Sequence, residues 1–171
     1  LSQHKPILLI FLRHSGCTFC RETLSDLKRQ LRVIRERGFD AAVVHMSEPM
    51  KATQFFEGFG LGTVHRFSDP EQQLYRAFGI GRGNFSQLFG RRVWAKGVKA
   101  FFWDRHGIGR LDGDGFQMPA AFVLYRSRVL ASFFAAHAAD RTDFQQLLNN
   151  AIQKSKPIPV TTPTPAHVTY S

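Results

Sequence analysis

The chain has 171 residues, 43% of them hydrophobic, enough for one domain around a single core. No apolar run approaches the length of a membrane span, which excludes a transmembrane helix. The formal charge of +10 is high for this size and makes nucleic acid, anionic substrates or membrane surfaces candidate attractors. Much of that charge sits in two places. Lys28, Arg29, Arg32, Arg35 and Arg37 follow a helical pattern, and Arg91, Arg92, Lys96 and Lys99 form a stretch without an acidic residue. No nucleic-acid motif accompanies them, so nucleic acid is not the expected partner and a solvated basic face is. The sequence starts at Leu1 and not at methionine, so the lack of a leader decides little, and cytoplasmic residence is the default expectation.

In chain order, Pro6 to Leu12 is a continuous apolar run of the kind found in a strand buried on both faces. The stretch Arg13-His14-Ser15-Gly16-Cys17-Thr18-Phe19-Cys20-Arg21-Glu22 follows and holds the only two cysteines of the chain. A C-x-x-C between a strand and a helix reads as a reversible dithiol–disulfide pair. At the first turn of a helix, unpaired N–H groups and the macrodipole favour the thiolate, the reacting form. The helix is expected from Phe19 to Arg37, ended by Gly38. Cys20, Leu24, Leu27, Leu31 and Ile34 fall on one face. Cys20 therefore heads the buried stripe, while Cys17 is expected to stay accessible. A static bridge would close too short a loop to add much stability. A zinc or iron site built on His14, Cys17 and Cys20 lacks a fourth ligand of the usual spacing.

Phe39 to Met46 reads as a second buried strand, so strand, helix and strand imply a right-handed parallel crossover. Ser47 is expected to cap a helix with Pro49 in its first turn, reaching about Glu57 before Gly58, Gly60 and Gly62. Val64 to Phe67 reads as a short strand. Asp69-Pro70-Glu71-Gln72 predicts a helix with Asp69 as cap and Pro70 at its first position, Leu74, Ala77 and Phe78 inward, and Gly79 at its end.

Residues 81–117 read as an insertion. Leu88, Phe89, Trp94, Val98, Phe101 and Phe102 suggest helical pieces, and the glycines from Gly107 to Gly115 suggest a loop. Their aromatic face reads as core; the sharper reading is a homodimer contact or a substrate platform. Ala120 to Tyr125 is a strand, and after a tight turn at Arg126-Ser127 the run from Val129 to Phe134 should close an antiparallel hairpin. Thr142-Asp143-Phe144-Gln145 predicts a capping box opening a helix with Phe144, Leu147, Leu148 and Ile152 on one face. The domain is expected to span 1–153. Residues 154–171, rich in proline and threonine, leave nothing to pack and should be disordered.

This order gives an α/β fold, a central mixed β-sheet with helices on both faces and a C-terminal β-hairpin and helix, as in thioredoxin-like proteins. The sequence resembles the peroxiredoxin-like, AhpC/TSA-type branch of that superfamily, which includes SelL-related proteins. The residues carrying the resemblance are Phe11-Leu12-Arg13-His14-x-Gly16-Cys17-Thr18-Phe19-Cys20-Arg21-Glu22, Ser68-Asp69-Pro70 with Leu74-Tyr75, and Gly113-Asp114-Gly115-Phe116-Gln117-Met118-Pro119. The resemblance implies peroxide reduction or thiol–disulfide exchange, with a protein disulfide or a peroxide as substrate and a cellular thiol as reductant. No metal or organic cofactor is expected. It further implies that Pro119 is a cis-proline facing the redox pair, with Met118, Thr18 and Phe19 beside the substrate. Arg13 and His14 are candidate cationic helpers, or else an ordinary surface charge and a polar loop residue.

The active-site loop departs from the peroxiredoxin pattern P-x-x-x-[TS]-x-x-C. Cys17 stands at the hydroxyl position and Arg13 at the proline position, which aligns Cys20 with the peroxidatic cysteine. The accessibility reading makes Cys17 the nucleophile and Cys20 its resolving partner. A basic binding module that keeps a redox fold without turnover is the reading from another class.

Overall fold

In the computed structural model, which describes residues 1–13, 17–84 and 114–155, five strands form one mixed sheet in the order β3-β2-β1-β4-β5. β1 (Ile7–Phe11) is buried along its whole length, as its unbroken apolar run requires. It pairs in parallel with β2 (Asp40–His45), Leu8 beside Ala41 and Phe11 beside Val44. The crossover between them is α1 (Thr18–Glu36). α2 (Pro49–Gly58) leads to β3 (His65–Ser68), which pairs in parallel with β2, and then to α3 (Gln73–Ala77). β4 (Ala120–Tyr125) returns antiparallel on the other side of β1 and turns into β5 (Arg128–Phe134). α4 (Phe144–Ser155) closes the described chain.

Alternation along the strands sends side chains to two cores. Leu8, Ile10, Ala41 and Val43 face Leu24, Leu27, Leu31 and Ile34 of α1, Ala52 and Phe56 of α2, and Phe144, Leu147 and Leu148 of α4. Each fully buried aliphatic side chain here contributes about 1.5–3 kcal/mol. On the opposite face, Ile7, Leu9, Phe11, Ala42 and Val44 pack with Tyr75 of α3, Met118 and Phe122. Helices thus cover both faces of the sheet, as the sequence order predicts.

The hairpin turn forms at Arg126 and Ser127, both in the left-handed region at φ 47° and 61° as a two-residue turn between twisted strands demands. Other local expectations shift. Glu48, not Ser47, precedes α2; Ser47 is buried and its carbonyl accepts the Ser68 hydroxyl at 2.8 Å. Pro70 lies in a turn ahead of α3, which starts only at Gln73. Asp69 still serves that helix, since its carboxylate accepts the N–H groups of Gln73 and Leu74 at 2.8 Å. Tyr75 fills the core position, Leu74 and Phe78 pack against the same core, and Ala77 is exposed. Asp143, not Thr142, caps α4 by accepting the Gln146 N–H at 3.0 Å. α4 also takes in Lys154 and Ser155, the first two residues expected in the tail.

The Met118–Pro119 peptide is trans, against the expected cis bond; among the described residues no peptide is cis. The chain here runs straight into β4. Met118 N–H donates to the Gly81 carbonyl and the Pro119 carbonyl accepts from Ala135, each at 3.3 Å, which seats Pro119 just ahead of the sheet. The aromatic run from Leu88 to Phe102, the second basic stretch and the tail from 156 lie outside the described residues. The basic residues of α1, with Arg37 just past its end, line its outer side, and Arg29 and Arg32 stay largely in solvent. Lys28 reaches the Gly60 carbonyl, Arg29 pairs with Asp26, Arg32 with Glu36, and Arg37 donates to Gln145 and Asn149.

Candidate active site

Where β1 ends, the Leu12 N–H still reaches the Val44 carbonyl at 3.0 Å. The Tyr75 hydroxyl, buried beneath, donates to the Leu12 carbonyl and lies 3.3 Å from that of Val44. Burial, with Cys20 and Asp69 nearby, pushes the Tyr75 hydroxyl far above its ordinary range, so it remains a neutral donor. The chain then leaves the sheet, and the Arg13 N–H donates to Cys20 Sγ at 3.3 Å. Cys17 stands at the head of α1 with extended backbone, and its carbonyl accepts the first helical N–H, from Arg21 at 3.1 Å. Both thiols are reduced.

Arg13 organises the centre. Its side chain is 6% exposed. Nε donates to the Gln117 carbonyl at 2.9 Å, Nη2 donates to the Gly115 carbonyl, and Nη1 stands 3.5 Å from Cys17 Sγ. Among the described residues, two of its three side-chain partners are neutral carbonyls, which satisfy its N–H groups without cancelling its charge and leave the positive field to the sulfur. Cys17 is correspondingly lowered from 9.0 to about 6. The largest cause is a hydrogen bond from the Cys20 thiol; burial acts in the opposite direction, and the Arg13 charge and the N–H groups of Cys20 and Phe19 add to the lowering. Arg13 is therefore a buried partner of the thiol and not a surface charge.

The expected contrast between an exposed Cys17 and a shielded Cys20 does not hold. Cys17 is 5% exposed and Cys20 3%. Carbonyls about a hundred residues downstream lay the guanidinium of Arg13 against Cys17. What separates the two sulfurs is the partner each faces, the Arg13 guanidinium at Cys17 and the Arg13 backbone N–H at Cys20. Beside Cys20 a cavity of about 10 Å3 is lined by Arg13, Phe19, Thr23, Pro119, Asp140 and Thr142. That is room for about one water, so the reduced centre is closed. A larger cavity of about 360 Å3, with Ile7, Leu9, Val44 and Leu124 in its wall, touches neither cysteine.

Of the expected substrate contacts, Phe19 and Pro119 meet at that small cavity and Thr18 is half-buried. Met118 instead packs into the opposite core. His14 lies outside the described residues. Sequence reasoning passed over Gln117 and Tyr75 as parts of the site, although both stand in the runs that carry the family resemblance. It also passed over Arg141, which pairs with Glu22 at 2.6 Å and with Asp26 and so ties the loop after β5 to α1. Among the described residues, no three His, Cys, Asp or Glu side chains cluster as a metal site, and no helix is long and apolar enough to cross a membrane.

A family profile described as AhpC/TSA antioxidant enzyme matches residues 23–137, about two-thirds of the chain, beginning just after both cysteines. No curated protein sequence matches. Among solved structures, the chain is similar to peroxiredoxin 6 of Arenicola marina (TM-score 0.61, 11% identity, 88% of this chain and 61% of that one). It is similar to AhpC of Enterococcus faecalis (0.61, 13%, 89% and 75%). It is also similar to a protein of Chlorobium tepidum described as a putative thiol:disulfide interchange protein DsbE (0.56, 18%, 88% and 82%). At such identities these likenesses establish the fold. On the family match together with that fold, the chain belongs to the AhpC/TSA antioxidant-enzyme family, in the peroxiredoxin-like branch of the thioredoxin-like superfamily.

Proposed function

We propose that the chain is a thiol–disulfide oxidoreductase in which Cys17 attacks and Cys20 resolves. The observation that carries this reading is the Cys17 sulfur, lowered to about 6 and facing a buried guanidinium, with a second thiol donating to it. At neutral pH such a sulfur is mostly thiolate. It attacks one sulfur of a substrate disulfide, forming a mixed disulfide and expelling the other sulfur as thiolate. Cys20 then loses its proton and attacks the Cys17 sulfur, releasing the second substrate thiol and leaving the Cys17–Cys20 bridge. The substrate gains two electrons, and two cellular thiol groups then reduce the Cys17–Cys20 bridge, leaving as a disulfide of their own. Thr18, Phe19 and Pro119 are the nearest surfaces for a bound substrate.

Peroxide reduction is the second reading, favoured by the family match and by the position of Cys20 in the peroxiredoxin pattern. The charge distribution directs it to Cys17. The Cys17 thiolate takes the distal peroxide oxygen and becomes a sulfenic acid while an alcohol or water leaves. Cys20 condenses with it, releasing water and forming the same bridge. The test is stopped-flow reaction of Cys17→Ser and Cys20→Ser variants with a model disulfide and with hydrogen peroxide. The proposal expects Cys20→Ser to keep the first step with both and Cys17→Ser to lose it. Full first-step reactivity in Cys17→Ser would overturn the assignment.

A further inference from the structure

Arg13 is aimed by backbone carbonyls, and carbonyls hold a direction only as well as their own segment is held. The segment from Gly115 to Gln117 belongs to neither a helix nor a strand. The Gln117 side chain is 1% exposed, and its Nε2 donates to both the Ile80 and the Gly81 carbonyls at 3.1 Å. Two carbonyls can only accept, so this amide is oriented unambiguously and both of its N–H donors are used. The Gln117 carbonyl, three bonds from the same α-carbon's side chain, then takes Arg13 Nε at 2.9 Å. The same segment is buttressed by Gly83 N–H on the Phe116 carbonyl at 2.7 Å and by the Arg82–Asp114 ion pair at 2.8 Å. Neither of these contacts reaches Arg13.

We propose that Gln117 is a positioning residue of the redox centre: its side-chain amide pins the 115–117 segment so that two carbonyls hold the Arg13 guanidinium against Cys17. Gln117 touches neither sulfur and acts only through Arg13. The inference rests on the reading of Cys17 as the attacking thiolate. Loss of the amide frees the carbonyl pair to shift, and a shift of a few tenths of an ångström is enough to weaken a contact already at 3.5 Å.

The experiment is the pH profile of Cys17 alkylation by iodoacetamide in the reduced full chain, followed by mass. Wild type, Gln117→Leu, Arg13→Met and the double variant form a cycle. Gln117→Leu should raise the midpoint by about one pH unit, which is tenfold less thiolate below the midpoint. In the Arg13→Met background the same change should move the midpoint little. Where Gln117→Leu does not fold, Gln117→Asn, which keeps the amide but shortens its reach, should still raise the midpoint. A midpoint unmoved by Gln117 substitution, or moved equally with and without Arg13, overturns the proposal. Alkylation needs no substrate turnover, so a low midpoint in a protein that exchanges no disulfide would sink the oxidoreductase reading alone.

Discussion

The Tyr75 hydroxyl donates to the Leu12 carbonyl across 63 residues of sequence, joining α3 to the point where the chain leaves the sheet for α1. Tyr75→Phe keeps the ring and its edge contact with Phe11 at 5.0 Å but leaves a buried carbonyl short of its donor. An unsatisfied buried group costs about 1–3 kcal/mol. Urea unfolding should show a loss of that size with an unchanged m-value, and no loss would mean that a water replaces the hydroxyl.

Arg13→Met removes the charge that faces Cys17 while keeping much of the side-chain volume. The thiolate, now formed above about pH 6, should require a higher pH, so alkylation at pH 6 slows several-fold. A thiolate less stabilised in the reduced form also makes the pair a weaker oxidant. Glutathione titration should show the potential falling in the same variant, and an unchanged potential would assign the lowering to Cys20 and the helix N–H groups alone.

Stability should follow the same titration. Cys17 ionises near 6 in the folded chain against an ordinary 9.0, so the thiolate stabilises the reduced fold. Because the folded value is the lower one, this contribution is complete above the unfolded value near 9. It is lost as pH falls toward 6. Reduced wild-type protein should therefore gain stability over Cys17→Ser between pH 6 and 9 in urea titrations, with the gap flat below that window. A gap constant throughout would contradict the depressed value.

Arg141 links Glu22 and Asp26, two carboxylates one turn apart on α1 and both buried. Arg141→Ala leaves them facing each other, with Arg29 still on Asp26. Because Arg141 is about half exposed, the cost should fall below the roughly 3–5 kcal/mol of breaking a fully buried pair. Thermal unfolding at pH 7 should show this loss, and Arg141→Lys, which keeps the charge, should recover part of it. No recovery in Arg141→Lys would mean that the forked guanidinium geometry, not charge, is at stake.

The sequence carried what depends on neighbours along the chain. The two-residue turn at Arg126-Ser127, the apolar stripe headed by Cys20 and the buried run of β1 are all local patterns with a period or a spacing. The helix starts expected at Ser47, Pro70 and Thr142 slipped by one to a few residues, because where a helix begins is chosen by its packing and not by residue type alone. The active-site errors have a different origin. Cys17 is buried and faces Arg13, and Arg13 is aimed by Gly115 and Gln117, contacts 102 and 104 residues apart that no local pattern encodes. The expected cis bond at Pro119 came from resemblance, and here the hydrogen bonds on either side carry a trans chain into β4.

The most direct measurement is the mass of the chain after thiol trapping across a series of glutathione redox buffers. The account predicts that two trappable thiols disappear together and return on reduction, with the bridge mapped to Cys17 and Cys20. Thiols that remain trappable in every buffer, or a Cys20 that oxidises alone while Cys17 stays free, would contradict it.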